Sequence, residues 1–262
     1  MRASTQMLGN GKTDDLARRA AQLYAAGSSE EATAVCQRML RKNPNAWQAL
    51  MLLGLIQRER NALHEAEALL QRAARINPTH ADIAFHLASV QADLGLLSPA
   101  REGFERLLAR QPDSWLLHFR LGLVLEAQRA LESAQQHYAQ AATLNHGTPE
   151  PLINLGNVQR ALGSHDEAIA SFRRAIAVEP RSAVAHLNLG LTLGENDNQD
   201  KAALEALAAA CTLAPDDAHM QFVFALHLGK WQRGRAARDA YQRALSIRSD
   251  YPEALNNLGV LH

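Results

Sequence analysis

The chain has 262 residues, with 27 Lys+Arg against 27 Asp+Glu, a balance that leaves no basic footprint for nucleic acid. Apolar residues at 47% and charged residues at 21% allow a sizeable core and exclude a disordered chain. Aromatics at 5% argue against a base-stacking surface, and no stretch is apolar for long enough to span a membrane.

Residues 1–12 are polar and lack the apolar run of a signal peptide, so they are expected to form a flexible N-terminal segment. A repeat begins at Thr13. Successive units start at Trp47, Ala81, Trp115, Pro149, Ala183 and Ala218, and a half unit starts at Pro252; each step is 34 residues, apart from one extra residue in the sixth unit. The eighth position of each unit is small: Ala20, Gly54, Ala88, Gly122, Gly156, Gly190, Ala225 and Gly259. The twentieth is always alanine: Ala32, Ala66, Ala100, Ala134, Ala168, Ala203 and Ala237. The seventh is large from the second unit on, as in Leu53, Leu87 and Phe224, and so is the twenty-fourth, as in Leu70, Phe104, Tyr138, Phe172, Leu207 and Tyr241. Small residues are needed where two helix axes cross closely, and large ones fill the space beside them.

Taken in order, the first unit departs most, with Arg19 and Cys36 at two of the large positions, and reads as an N-terminal cap. Pro44, Pro78, Pro112, Pro180 and Pro215 close five units, since proline stops one helix before the next turn. Gly27, Gly95 and Gly163 stand where the first helix of a unit ends. Ser29-Glu30-Glu31 and His165-Asp166-Glu167 open second helices, where acidic side chains suit the helix N-terminus. The spacing predicts two helices of about a dozen residues per unit, fourteen in all, and a partial fifteenth. Glu195 to Asp200, in the unit with the inserted residue, lacks the central Gly and distal Glu of a calcium loop and reads as a polar turn. Leu255, Leu258 and Leu261 give the last half unit an apolar face without a partner helix, as expected of a fragment of a longer protein or of a short cap.

Helix-turn-helix units of this length with these landmarks resemble tetratricopeptide repeats, from Thr13 to His262, and the fifth unit, Pro149 to Pro180, is closest to the pattern. The resemblance implies an all-α fold: an α-solenoid of antiparallel helix pairs wound into a right-handed superhelix. It also implies that the first helix of each pair lines a concave groove, through its second, fifth, sixth, ninth, twelfth and thirteenth positions. The fifth positions are Met51, Phe85, Phe119, Ile153, Leu187 and Phe222, an apolar stripe to which the ninth adds Leu123 and Asn157. The sixth holds His86 and Arg120, then Asn154, Asn188 and Asn257, with Val223 interrupting. The twelfth adds Arg58, Glu126 and Arg160. An asparagine ladder matches peptide amides, and it is similar to the repeat region of O-linked N-acetylglucosamine transferase. These residues are the expected peptide-binding groove, unless curvature turns the same side chains to internal packing.

Nothing in the sequence points to chemistry. There is no His-Glu-x-x-His, no phosphate loop and no nucleophile elbow, and His118 and His186 fall at a packing position. Cys36 and Cys211 have no partner at metal-ligand spacing. The expectation is a non-enzymatic cytoplasmic scaffold without metal or cofactor. Its partner would be a protein or peptide, with self-association through the terminal repeats as a further route. The alternative is the substrate-recruiting arm of a larger glycosyltransferase or sulfotransferase whose catalytic domain lies beyond residue 262.

Overall fold

A computed structural model describes residues 11–195, 200–231 and 233–260. Among the described residues there are fifteen α-helices and no strand. They are α1 (Gly11–Ala25), α2 (Ser29–Lys42), α3 (Trp47–Glu59), α4 (Leu63–Ile76), α5 (Ala81–Asp93), α6 (Leu97–Leu108), α7 (Trp115–Ala127), α8 (Leu131–Leu144), α9 (Glu150–Ala161), α10 (His165–Val178), α11 (Ala183–Glu195), α12 (Asp200–Leu213), α13 (Ala218–Lys230), α14 (Gly234–Ile247) and α15 (Pro252–Val260). The helix starts follow the repeat starts read from the sequence. α1 begins at Gly11, two residues before the first unit; Asn196 to Gln199, the centre of the polar turn, and Leu261 of the terminal apolar face lie outside the described residues. The helices form two compact units, one running to Gln128 and one from Arg129.

The turns inside the repeats share one design. At the end of α1, Gly27 N–H donates to Tyr24 O and Ser28 N–H to Leu23 O, which satisfies carbonyls that the helix would leave unpaired. The same pair of bonds follows α3 (Asn61 to Arg58, Ala62 to Gln57), α5 (Gly95 to Ala92, Leu96 to Gln91) and α9 (Gly163 to Arg160, Ser164 to Gln159). The motif requires a left-handed residue. Gly27, Gly95 and Gly163 supply it with φ of 83°, 75° and 80°, while Asn61 at 60° and Arg129 at 63° adopt it with side chains.

Within a pair, the small eighth position meets the large twenty-fourth. A Cβ on Gly54 would stand 2.8 Å from Leu70 Cγ, one on Gly156 2.6 Å from Phe172 Cε1, and one on Gly190 2.6 Å from Leu207 Cγ. The three large side chains are fully buried, a gain of about 1.5–3 kcal/mol each. The alanines at the twentieth position are also fully buried. The third repeat reverses the arrangement: its eighth position is Ala88, and a Cβ added to Gly103, one residue before Phe104, would lie 2.8 Å from the Ala88 methyl.

Candidate functional site

The first three first helices of the N-terminal unit, α1, α3 and α5, are tied to one another by polar side chains one repeat apart. Tyr24 Oη donates to Glu59 Oε1 at 2.6 Å, and Arg58 Nε donates to Asp93 Oδ2 at 2.6 Å. In both, the twelfth position of one repeat reaches the thirteenth of the next. Arg58 is thereby committed to Asp93, and the pair is part of the inter-repeat contact.

Beside this pair lie the two ionisable side chains at the sixth position. Burial pushes the His86 imidazole down from 6.5 to about 4; Arg58 and Arg120 push the same way and Asp82 opposes them, so His86 is neutral at pH 7. Arg120 is lowered, first by burial and then by Arg58, with Asp93 opposing. His86 Nδ1 and Arg120 Nε are buried with no hydrogen-bond partner. A cavity of about 190 Å³ opens here, lined by Ser89, Asp93, Phe104, Arg120, Leu123 and Val124 among others.

The apolar candidates divide by depth. Met51 is 2% exposed and packs into the core with Leu70 and Ile83. Phe85 is half-buried, its ring edge-on to Phe104 at 5.9 Å, and Phe119 is half-buried beside Trp115 at 6.4 Å. In the C-terminal unit Ile153 and Leu187 are each 9% exposed and belong to core clusters. Phe222 is half-buried, 4.9 Å from the Tyr251 ring and 5.9 Å from Tyr241. The fifth position therefore faces partly inward, and its phenylalanines are the members with accessible surface.

Asn154, Asn157, Asn188 and Asn257 are half-buried on the first helices of the C-terminal unit. Asn157 Oδ1 is buried without a hydrogen-bond partner, and the Asn257 side chain bonds the Tyr241 hydroxyl. A second cavity, about 480 Å³, is lined by Leu226, His227, Lys230, Tyr241, Asn257 and Val260 among others. Lys230 Nζ donates to Gly194 O at 3.1 Å, another link between successive first helices. The candidates thus fall into two sets, Met51, Phe85, Phe119 and Leu123 in the N-terminal unit and the remainder in the C-terminal unit. His86 and Arg120 stand at the sixth position with the asparagines, and the sequence sign of their polar centre is that this position is ionisable in two consecutive repeats.

Other reactive residue types have structural surroundings. Cys36 and Cys211 are free and buried, and burial pushes their thiols up to about 12 and about 11, away from nucleophilic thiolate. His118 Nε2 lies 2.9 Å from Pro112 O and His186 Nε2 lies 3.2 Å from Pro180 O, so each histidine ties its helix to the proline that closes the preceding repeat. Among the described residues no group of His, Cys, Asp and Glu could hold a metal ion, and no helix is long and apolar enough to cross a membrane.

Comparison with known proteins agrees with this architecture. Tetratricopeptide repeat profiles match residues 18–81 and 153–218, 57–121, and 116–180, together residues 18–218. The chain is 26% identical over 257 residues to the "Protein CTR9 homolog" of Arabidopsis thaliana, across 91% of this chain and 23% of that protein. It is 35% identical over 86 residues to the "Probable biofilm formation methyltransferase WspC" of Pseudomonas putida, across 33% of this chain and 20% of that protein. The chain therefore spans about a quarter or less of the curated relatives it matches. Among solved structures, a tetratricopeptide repeat protein from Parabacteroides merdae superposes with a TM-score of 0.69 at 18% identity, over 96% of this chain and 99% of that one. The APC/C hetero-tetramer Cut9-Hcn1 gives 0.68 at 18% identity, over 95% of this chain and 49% of that one. YrrB, described as a TPR protein with an unusual peptide-binding site, gives 0.58 at 18% identity, over 72% of this chain and 96% of that one. Repeat spacing, paired helices and matched profiles agree, and the chain belongs to the tetratricopeptide repeat family.

Proposed function

We propose that this chain is an interaction scaffold that holds a polypeptide segment against its first-helix faces. The observation that carries the reading is the set of buried polar atoms left without hydrogen-bond partners there: Arg120 Nε and His86 Nδ1 in the N-terminal unit, and Asn157 Oδ1 in the C-terminal unit. A buried polar atom without a partner costs about 1–3 kcal/mol, so each favours an incoming group that completes it. A peptide main chain offers both donors and acceptors. Half-buried Phe85, Phe119 and Leu123 lie on the same helices and provide apolar contact for its side chains. The asparagines at positions 154 and 188 extend the polar provision in the C-terminal unit.

The test is selection of binders from a displayed peptide library, followed by calorimetry on the selected peptides. Phe119→Ala should weaken them roughly tenfold or more, as loss of an anchor does. Arg173→Ala, on the exposed side of α10, should leave affinity unchanged. Selected peptides indifferent to Phe119 and to Asn157→Ala alike would overturn the reading.

A second reading, that these repeats form the recruiting arm of a larger enzyme, draws on the 86-residue similarity to a protein named as a methyltransferase. Sequencing the complete reading frame decides it: a catalytic domain in the same frame supports an arm, and its absence removes that reading.

A further inference from the structure

The second-helix side of the N-terminal unit carries a groove of its own, independent of the first-helix faces. α4 and α6 flank it and α5 supplies its floor, around a cavity of about 660 Å³. Leu87, Ala88 and Leu107 are apolar lining; Arg75, Arg106 and Arg110 stand exposed at its edges. The position taken by Leu69 in α4 and His137 in α8 is Gly103 in α6. With no side chain at Gly103, the backbone of α6 lies directly against Ala88, and both residues line the groove.

We propose that this groove docks an acidic segment of a partner protein that inserts a leucine-sized side chain between the arginines. The chain as a whole is electrically balanced, with 27 basic and 27 acidic residues, yet no carboxylate lines the groove. Among the described residues, no ion pair involves any of the three arginines; Arg106 Nε donates to Glu102 O at 3.3 Å and Arg110 to Thr79 O at 3.0 Å, both backbone carbonyls. Glu67, whose Oε1 accepts from Gln71 at 3.0 Å and from Gln91 at 3.3 Å, is held by amides and not by an arginine. Three cations around an apolar floor complement a peptide with acidic residues on both sides of an apolar one. Each exposed pair contributes only about 0–1 kcal/mol, so the charges select and orient while the buried side chain supplies affinity. The concave apolar floor between two helices favours a peptide over a flat membrane surface.

The experiment is fluorescence anisotropy of a labelled synthetic peptide of about twelve residues, Asp and Glu throughout except for two central leucines, a length that at about 1.5–3.3 Å per residue spans a helix pair. The double variant Arg106→Glu/Arg110→Glu should weaken it roughly tenfold or more, and Arg75→Glu, a second and independent variant, several-fold. Arg174→Glu, at the repeat position of Arg106 but on α10, should leave affinity within about twofold. Replacing the leucines by serine should weaken the peptide about fivefold or more, and raising the salt should weaken the leucine peptide. Circular dichroism confirms that the variants are folded. The proposal is overturned if the leucine peptide does not bind, if the folded charge-reversal variants bind it as tightly as the parent, or if the serine peptide binds equally well. It is overturned too if the arginines are needed only for binding phosphatidylserine vesicles.

Discussion

The ring of Phe172 occupies the space beside Gly156 so closely that a Cβ on that glycine would lie 2.6 Å from Cε1 and 2.7 Å from Cζ. Phe172 is fully buried and its ring cannot swing into solvent. Gly156→Ala should therefore destabilise the chain by about 1–3 kcal/mol despite alanine's better helix propensity. The comparison is Gly259→Ala at the same repeat position, where nothing stands within 4 Å; that change should be neutral or stabilising by up to about 1 kcal/mol. Urea denaturation of the two variants measures both. Equal effects would show that the crossing at Gly156 relaxes freely.

Arg129 holds φ at 63° at the repeat position that Gly27, Gly95 and Gly163 fill elsewhere. A side chain in the left-handed region costs about 1–2 kcal/mol, partly offset by the larger unfolded-state entropy of glycine. Arg129→Gly should thus stabilise by about 0.5–1 kcal/mol, and Asn61→Gly by less, because asparagine tolerates this conformation. Thermal denaturation of both variants checks the order. A loss of stability in Arg129→Gly would mean that its side chain contributes more than its backbone costs.

Burial holds His86 at about 4 against 6.5 in an unfolded chain. Between those values the unfolded state binds a proton that the folded state does not, so stability present above about pH 6.5 is lost as pH falls toward 4. The groups setting the shift besides burial are Arg58 and Arg120, which lower it, and Asp82, which raises it. His86→Gln removes this proton. Its unfolding free energy should fall less steeply than the parent's across that window, by on the order of 2 kcal/mol in total. Parallel curves in guanidinium titrations from pH 7 to pH 4 would contradict the assignment.

The fold was legible because its determinants are local and repeated. Gly54 and Leu70 meet across one turn, and the same small-large pairing recurs in Gly156 with Phe172 and Gly190 with Leu207, so each copy reinforces the reading of the others. The turns were legible only where glycine marks them; Asn61 and Arg129 adopt the same conformation without a residue type that announces it. The candidate groove was less legible for a different reason. Which face of a first helix is open depends on its neighbours, and Met51, Ile153 and Leu187, equivalent in sequence to Phe85 and Phe119, lie in the core. In the sequence Arg58 is one of three charged residues at the twelfth position, and only its placement opposite Asp93 reveals the bond between repeats. Nothing in the sequence marks Gly103 as part of the lining of a groove between α4 and α6.

The bonds from Tyr24 to Glu59 and from Arg58 to Asp93 bear on how the N-terminal unit comes apart. A repeat array is a one-dimensional lattice in which each unit is held by its own stability and by coupling to its neighbours. Side-chain links between successive first helices belong to the coupling and leave the intrinsic stability of a single pair untouched. With them in place, α1, α3 and α5 should open together; weakened, the same helices should fray from the N-terminal end, the first repeats opening before the rest.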